Sequence, residues 1–236
     1  MVQIGFSTGS LAFGDFQKAL RILRKYPIEA VELSALRFQE LKPLMESLPG
    51  LDLSQFKYVS VHAPSAFTRA QEKQITSWLA CLAERGWPII LHADAVIDYD
   101  LWKPFGSQIA VENMDKRKAK GRTVEELLLT LERLPEASIC LDLGHARQVD
   151  RTMTDAYFLL KEFESRIVQI HISEVNTTSH HDPLSWGAVF SFQKIARLIP
   201  PHVPIIVESV VAEDEIETQV EMTREAVRSV RAPALR

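Results

Sequence analysis

Residues 122–145, RTVEELLLTLERLPEASICLDLGH, decide the fold. In the first half Leu127, Leu128, Leu131 and Leu134 recur at three- and four-residue spacing, the stripe of a helix packed on a sheet. In the second half SICLD is almost continuously apolar up to a carboxylate, as in a strand covered on both faces. A helix followed by such a strand is one unit of a parallel α/β architecture.

Outward from this unit the same change of period repeats. Strand-like runs fall at 4–7, 30–33, 59–62, 89–92, 109–112, 139–142, 167–171 and 205–208, among them VSVH, PIILH and PIIVE. Amphipathic stretches lie between them, for example 15–26, 68–85, 122–134, 152–163 and 189–199. Eight strands alternating with helices, with no Gly/Ser-rich linker, predict an α/β fold: a (β/α)8 TIM barrel, single domain, spanning 1–230. The alternative is a doubly wound open sheet. RAPALR at 231–236 reads as a frayed tail, and the fourth helix must be short, since 98–102 offers barely a turn.

The 236 residues are 46% hydrophobic and 25% charged, enough for one full core, and the formal net charge of −4 does not draw the molecule as a whole toward polyanions. Nucleic acid is therefore the less favoured partner. Cys81 and Cys140 lack metal-type spacing and read as reduced core residues. No secretory core follows Met1 and no apolar run approaches about 18 residues, which leaves a cytoplasmic protein without a membrane partner as the expectation.

Function in such barrels collects at the C-terminal ends of the strands. Of the seven histidines, His62, His92 and His171 end strands, His145 follows the sixth, and His180 and His181 follow the seventh. Only His202 belongs to the opposite rim. Glu32, Glu112, Asp142 and Glu208 close strands two, five, six and eight. Taken singly, each has an ordinary reading: a hydrogen-bonded rim histidine, a carboxylate meeting an arginine or a helix N-terminus, or a cap in the case of Asp142. Gathered on one rim, so many acids and imidazoles would repel or titrate away unless cations lay among them. Strands five to eight are consecutive, so Glu112, Asp142, His171 and Glu208 can converge on one divalent metal, Mn, Co, Mg or Zn. His62 and His92 flank Glu112 and suit a second site. His145, His180 and His181 suit a third, and imidazole-rich sites favour zinc.

Through AVELSA, VSVHAP, AVENMD, CLDLGHARQ, IVQIHISEVN and HHDPLSWG, in this order and one per strand, the chain resembles the xylose isomerase-like barrel superfamily. That superfamily holds sugar isomerases and epimerases and the endonuclease IV family. The sugar branch implies a Glu, Asp, His, Glu metal quartet at Glu112, Asp142, His171 and Glu208, with His145 and Glu174 on the substrate side. The endonuclease branch implies a three-zinc set drawing also on His62, His92, His145 and the loop after strand seven. There His181 matches a ligand histidine but Ser179 stands where the aspartate belongs, leaving His180 or Asp182 to replace it. Ser65 stands where that family places an aromatic residue that enters DNA.

Two enzymatic readings result. In the preferred one, a metal-dependent isomerase or epimerase acts on a small carbohydrate-like substrate, with Glu112 and Glu208 as catalytic acid and base beside a carbonyl. His62, His92, His145 and Glu174 hold hydroxyls. In the other, zinc ions hydrolyse a phosphodiester at an abasic DNA site, and the KRKAKGR run at 116–122 grips phosphate. A non-catalytic barrel that retains metal is the third reading.

Overall fold

The structure, a computed structural model, describes residues 2–228, and the expected tail at 231–236 lies outside the described residues. Among the described residues ten strands form: β1 (Ile4–Ser7), β2 (Ala30–Ser34), β3 (Tyr58–His62), β4 (Ile89–His92), β5 (Ile109–Glu112), β6 (Ser138–Asp142), β7 (Ile167–Ile172), β8 (Glu174–Val175), β9 (His181–Asp182) and β10 (Ile205–Val207). Eight of them close a barrel in the order β1-β10-β7-β6-β5-β4-β3-β2, every pair parallel. The fold is a single-domain (β/α)8 barrel. β8 and β9 form a separate antiparallel ribbon above the end of β7.

Alternation along each strand sorts the apolar residues into two cores. Val31, Leu33, Val59, Val61, Ile89, Leu91, Ile109 and Val111 face outward and merge with the buried sides of the helices in the large core. Ile90, Ala110 and Cys140, with Val168 against them, form a small apolar plug inside the barrel. Above this plug the inward positions become polar. One irregularity matters for the site. Ile139 pairs with Ile167 but Cys140 pairs with Gln169, so β7 carries one extra residue, Val168, against β6. A bulge of this kind re-aims the side chains beyond it, and here it brings Gln169 and His171 into the same inward register as Cys140 and Asp142.

The fourth helix is replaced by two 3-10 turns, Tyr99–Leu101 and Lys103–Gln108. Trp102, fully buried, fills the place of a helix. It is held by Glu72, a fully buried carboxylate on the helix Arg69–Leu79, which accepts hydrogen bonds from Trp102 Nε1 at 2.9 Å, Ile97 N at 2.9 Å and Asp98 N at 3.0 Å. A buried charge is tolerable when donors surround it in this way.

The helix Leu143–Val149 starts directly at the end of β6, and its first turn needs Gly144. A Cβ there would lie 2.8 Å from the Ser173 carbonyl oxygen and 2.7 Å from Val175 Cγ2, so only glycine lets this turn pack on the end of β7.

Candidate metal centre at the barrel mouth

The inward alternation places Glu112 last on β5, Asp142 last on β6 and His171 on β7, while Glu208 follows β10 directly. One ligand atom from each of Glu112, Asp142, His171 and Glu208 lies within 4.8 Å of the others. Glu112, Asp142 and His171 are buried and Glu208 reaches the mouth, its side chain 11% exposed. Two carboxylates at that separation repel by roughly 3–4 kcal/mol at an effective dielectric near 20. Among the described residues no lysine or arginine pairs with any of the four.

Asp142 shows how the donor set fits a cation. Its Oδ1 accepts from His145 N at 2.7 Å and caps the helix Leu143–Val149. Its backbone is held by Asn113, whose Oδ1 accepts from Asp142 N at 2.7 Å and whose Nδ2 donates to Asp142 O at 2.9 Å. Oδ2 is buried and has no hydrogen-bond partner among the described residues. An orphaned carboxylate oxygen is expensive in a protein interior and is the atom a divalent metal would take. The mixed set of three carboxylates and one imidazole suits Mn, Co, Mg or Zn.

Histidines enclose Glu112. His62 Nε2 and His92 Nε2 each lie 3.2 Å from its Oε2, and His171 Nδ1 lies 3.0 Å from its Oε1. His62 Nδ1 donates to the Ala63 carbonyl at 2.7 Å, so in the neutral ring Nε2 carries the free lone pair that faces Glu112. His92 Nδ1 is buried without a hydrogen-bond partner among the described residues, with Asp94 Oδ1 at 3.9 Å. His62, His92 and Glu112 form a second possible ligand group, and Asp142, His145 and His181 a third.

Charge balance separates the acids. Burial pushes the Glu112 carboxyl up, but the surrounding histidines, His171 first, outweigh it and hold it well below the usual range. Burial pushes Glu208 well above that range, and the His171 charge only partly offsets this. For His171 burial disfavours the charge, yet the acidic groups around it raise it well above an ordinary histidine. Burial lowers His92, and burial with the His145 charge lowers His181 to about 4, so both rings are neutral near pH 7.

The structure redistributes the remaining expected residues. Of the third histidine group only His145 and His181 join Asp142 in a possible ligand set, while His180 lines the cavity outside that set. The His180 side chain is 55% exposed and bonds Asp182 Oδ1 at 2.9 Å, so these two side chains satisfy each other instead of supplying the missing aspartate. Glu174, expected on the substrate side, lies outside the cavity lining. Its Oε1 pairs with Arg147 Nη1 at 3.1 Å and its Oε2 accepts from Ser185 N at 3.1 Å, anchoring the ribbon that carries His181. Among the described residues Glu32 meets neither an arginine nor a helix terminus; it lies beneath the quartet, bonded to His171. The eighth barrel strand ends at Val207, one residue short of Glu208, which continues the line through Glu208 N donating to Ile172 O at 3.1 Å.

Sequence reasoning missed Asn113, Gln169, Tyr58 and Asp94. Asn113 adjoins Glu112 in AVENMD, and Gln169 is a polar residue inside the apolar run IVQIH, two positions before His171 and thus on its face. That second signal was available in the period alone.

Above the quartet opens a cavity of 410 Å³, lined by His62, His92, Glu112, His145, His181 and Glu208 at its floor and by Phe13, Leu36, Arg117 and Lys118 toward the rim. The KRKAKGR cations are largely committed. Lys118 Nζ lies 2.8 Å from Asp94 Oδ2, Arg117 Nε 3.5 Å from Asp115 Oδ1 and Arg122 Nη2 2.7 Å from Glu126 Oε1. No helix among the described residues is long and apolar enough to cross a membrane.

No protein-family model matches the chain, and no curated protein matches it in sequence. Solved structures do. A xylose isomerase domain protein from Alicyclobacillus acidocaldarius superposes with a TM-score of 0.68 at 11% identity, covering 96% of this chain and 98% of the other. The 3-keto-D-glucoside 4-epimerase of E. coli gives 0.61 at 13% identity, covering 96% and 99%. A sugar phosphate isomerase/epimerase from Parabacteroides distasonis gives 0.52 at 13% identity, covering 95% and 91%. The likeness runs over whole chains, and it shows that this chain shares the (β/α)8 barrel fold of these structures.

Proposed function

We propose that this protein is a divalent-metal-dependent isomerase or epimerase of a small sugar or related polyhydroxy-carbonyl compound, acting by proton transfer through an enediolate. The observation that carries the reading is the convergence of Glu112, Asp142, His171 and Glu208 within 4.8 Å at the floor of a 410 Å³ cavity. That volume falls in the range of small-molecule sites. The structural neighbours that are named as sugar isomerases and epimerases support the same kind of reaction.

A cation held by the quartet would supply Lewis acidity, polarising the substrate carbonyl and offsetting charge that develops beside it. The protein's own groups do the rest. Asp142 and His171, both fully buried, can hold but cannot reach a substrate carbon. Glu208 is the most exposed acid of the quartet, and burial pushes its carboxyl well above the usual carboxylate range, which suits it to proton exchange. It would take the proton from the hydroxyl-bearing carbon beside the carbonyl and return it to the carbonyl carbon, while the hydroxyl proton passes from that carbon's oxygen to the former carbonyl oxygen, which is isomerisation. Epimerisation needs delivery from the other face, where Glu112 stands. The rings of His62, His92, His145 and His181 line the floor and would bind hydroxyls.

The second reading, zinc-dependent hydrolysis of abasic DNA, is favoured by one observation: the two further ligand groups, His62, His92 and Glu112, and Asp142, His145 and His181. Against it stands the pairing of Arg117, Lys118 and Arg122 with carboxylates, which leaves those cations little charge to offer phosphates.

The deciding experiment incubates metal-loaded protein in D2O with a panel of ketoses, aldoses and keto-glycosides and follows deuterium incorporation beside the carbonyl by NMR. Exchange with wild type, lost in Glu208→Gln, is expected. No exchange with any member, together with nicking of an abasic oligonucleotide, would overturn the proposal in favour of the hydrolase.

A further inference from the structure

One layer beneath the quartet, Glu32 is a carboxylate with 0% exposure that the proposed proton transfer does not use. It lies on β2, and its partner His171 lies on β7. These strands are separated in the barrel order by β1 and β10, so the bond between them crosses the barrel interior. Glu32 Oε2 accepts from His171 Nε2 at 2.8 Å and from Gln169 Nε2 at 2.7 Å, and Oε1 accepts from Ser34 Oγ at 3.1 Å. The Gln169 nitrogen also lies 2.6 Å from His171 Nε2, so three polar groups meet at one point, and the carboxylate is the one able to accept from both nitrogens. Tyr58 sets the direction of the amide: its hydroxyl donates to Gln169 Oε1 at 2.8 Å, which turns the NH2 toward Glu32.

A neutral imidazole has one ring proton to place. If Nε2 holds it, Nδ1 is left with a free lone pair, and Nδ1 is the atom that faces the quartet, 3.0 Å from Glu112 Oε1 and 3.3 Å from Glu208 Oε2. We infer that Glu32, oriented by Gln169 and Tyr58, is a positioning residue for His171: it takes the Nε2 proton in a hydrogen bond and so obliges the ring to present unprotonated Nδ1 to a metal. The inference rests on the metal-dependent reading of the quartet. Carboxylate partners of this kind fix the tautomer and rotation of a ligand histidine and make it a stronger donor. Their placement here explains two polar residues, Glu32 and Gln169, at buried positions of β2 and β7.

The test is metal binding to metal-free protein, titrated with Co²⁺ and followed by visible absorption, with Zn²⁺ calorimetry alongside. Glu32→Gln keeps the shape and removes the charge. It should bind Co²⁺ about 10- to 100-fold more weakly than wild type, with an altered absorption band, and lower kcat without raising KM for any substrate found active. Gln169→Leu should weaken binding in the same direction but less. Far-UV circular dichroism of metal-free Glu32→Gln should match wild type at the titration temperature, so that weaker binding reads the site and not a loss of fold. Unchanged Co²⁺ affinity and spectrum in Glu32→Gln would overturn the inference, and should that variant fail to fold, the same result in Gln169→Leu would do so. A wild-type protein that takes up no stoichiometric metal overturns the reading of the quartet itself, an outcome visible before any substitution is made.

Discussion

Asp142 and His145 are joined by a hydrogen bond from the His145 backbone nitrogen to Asp142 Oδ1, 2.7 Å long, and this bond divides the labour of one carboxylate. One oxygen starts a helix; the other, Oδ2, stays buried in the barrel mouth without a hydrogen bond among the described residues, 3.4 Å from His145 Nδ1. The two roles separate by mutation. Asn keeps an oxygen for the cap but loses the charge. Asp142→Asn is therefore expected to melt at or above the wild-type temperature in metal-free buffer, because one of three mutually repelling buried carboxylates has gone. The same variant should lose metal affinity by at least about 100-fold. Differential scanning fluorimetry with and without metal reads both effects.

Glu112 and Glu208 carry the proposed chemistry. Glu112→Gln and Glu208→Gln should each lower turnover by roughly 1,000-fold or more, in the range of a lost general acid–base group combined with a lost ligand. Far-UV circular dichroism should remain that of wild type. Near-normal rates in either folded variant would remove that residue from the reaction.

Glu72 anchors the unit that lacks a proper helix. Glu72→Ala leaves Trp102 Nε1 and the nitrogens of Ile97 and Asp98 without their acceptor, and opens space beneath Trp102. A loss of about 3–5 kcal/mol in urea unfolding is expected. Glu72→Gln, which keeps one acceptor oxygen, should cost less. A loss of less than about 1 kcal/mol in the alanine variant would show that the network around Glu72 is not what holds this segment.

Asp150 gives the pH dependence. Burial raises its carboxyl, but donors from Thr152, Asp155 and Thr154 outweigh this and hold it below an ordinary aspartate. Its Oδ2 accepts from Thr154 N at 2.7 Å, at the start of the helix Thr154–Glu162. A group whose acidity is strengthened by folding stabilises above its unfolded pKa, near 4, and that stability is lost as pH falls through the lower folded value. Asp150→Ala should thus cost about 1–2 kcal/mol at pH 7, with the deficit unchanged down to about pH 5 and shrinking below about pH 4. Unfolding curves at pH 7, 5 and 3 test it, and a deficit that grows on acidification contradicts the assignment.

Much of the architecture was legible because burial imposes periods on a chain. Strands sheathed by helices must be apolar at nearly every position, and SICLD, VSVH, PIILH and PIIVE show this directly. A charge or imidazole ending such a run is conspicuous, which is how Glu112, Asp142, His171 and Glu208 stood out. The fourth βα unit was legible only as a gap, since a side chain, Trp102, takes the place of a regular helix and has no period to read. That Glu174 pairs with Arg147 and that His180 lines the cavity without joining a ligand group could not be read from the sequence, for a related reason. Their positions depend on whether the ribbon of β8 and β9 turns a side chain in or out, and on distant partners such as Arg147 and Ser185.

Local sequence alone dictated the barrel, the rim on which the polar residues gather and the quartet at its centre, because hydrophobic period and strand order need only near neighbours along the chain. Folding in three dimensions settled which oxygen of Asp142 lacks a hydrogen bond among the described residues, that Glu32 lies under His171, and that Arg117, Lys118 and Arg122 of the 116–122 run have carboxylate partners. Those facts depend on contacts between residues up to 139 positions apart, made through a bulge at Val168 and a closed ring of strands, and no local pattern encodes the distance between two side chains that meet across a barrel.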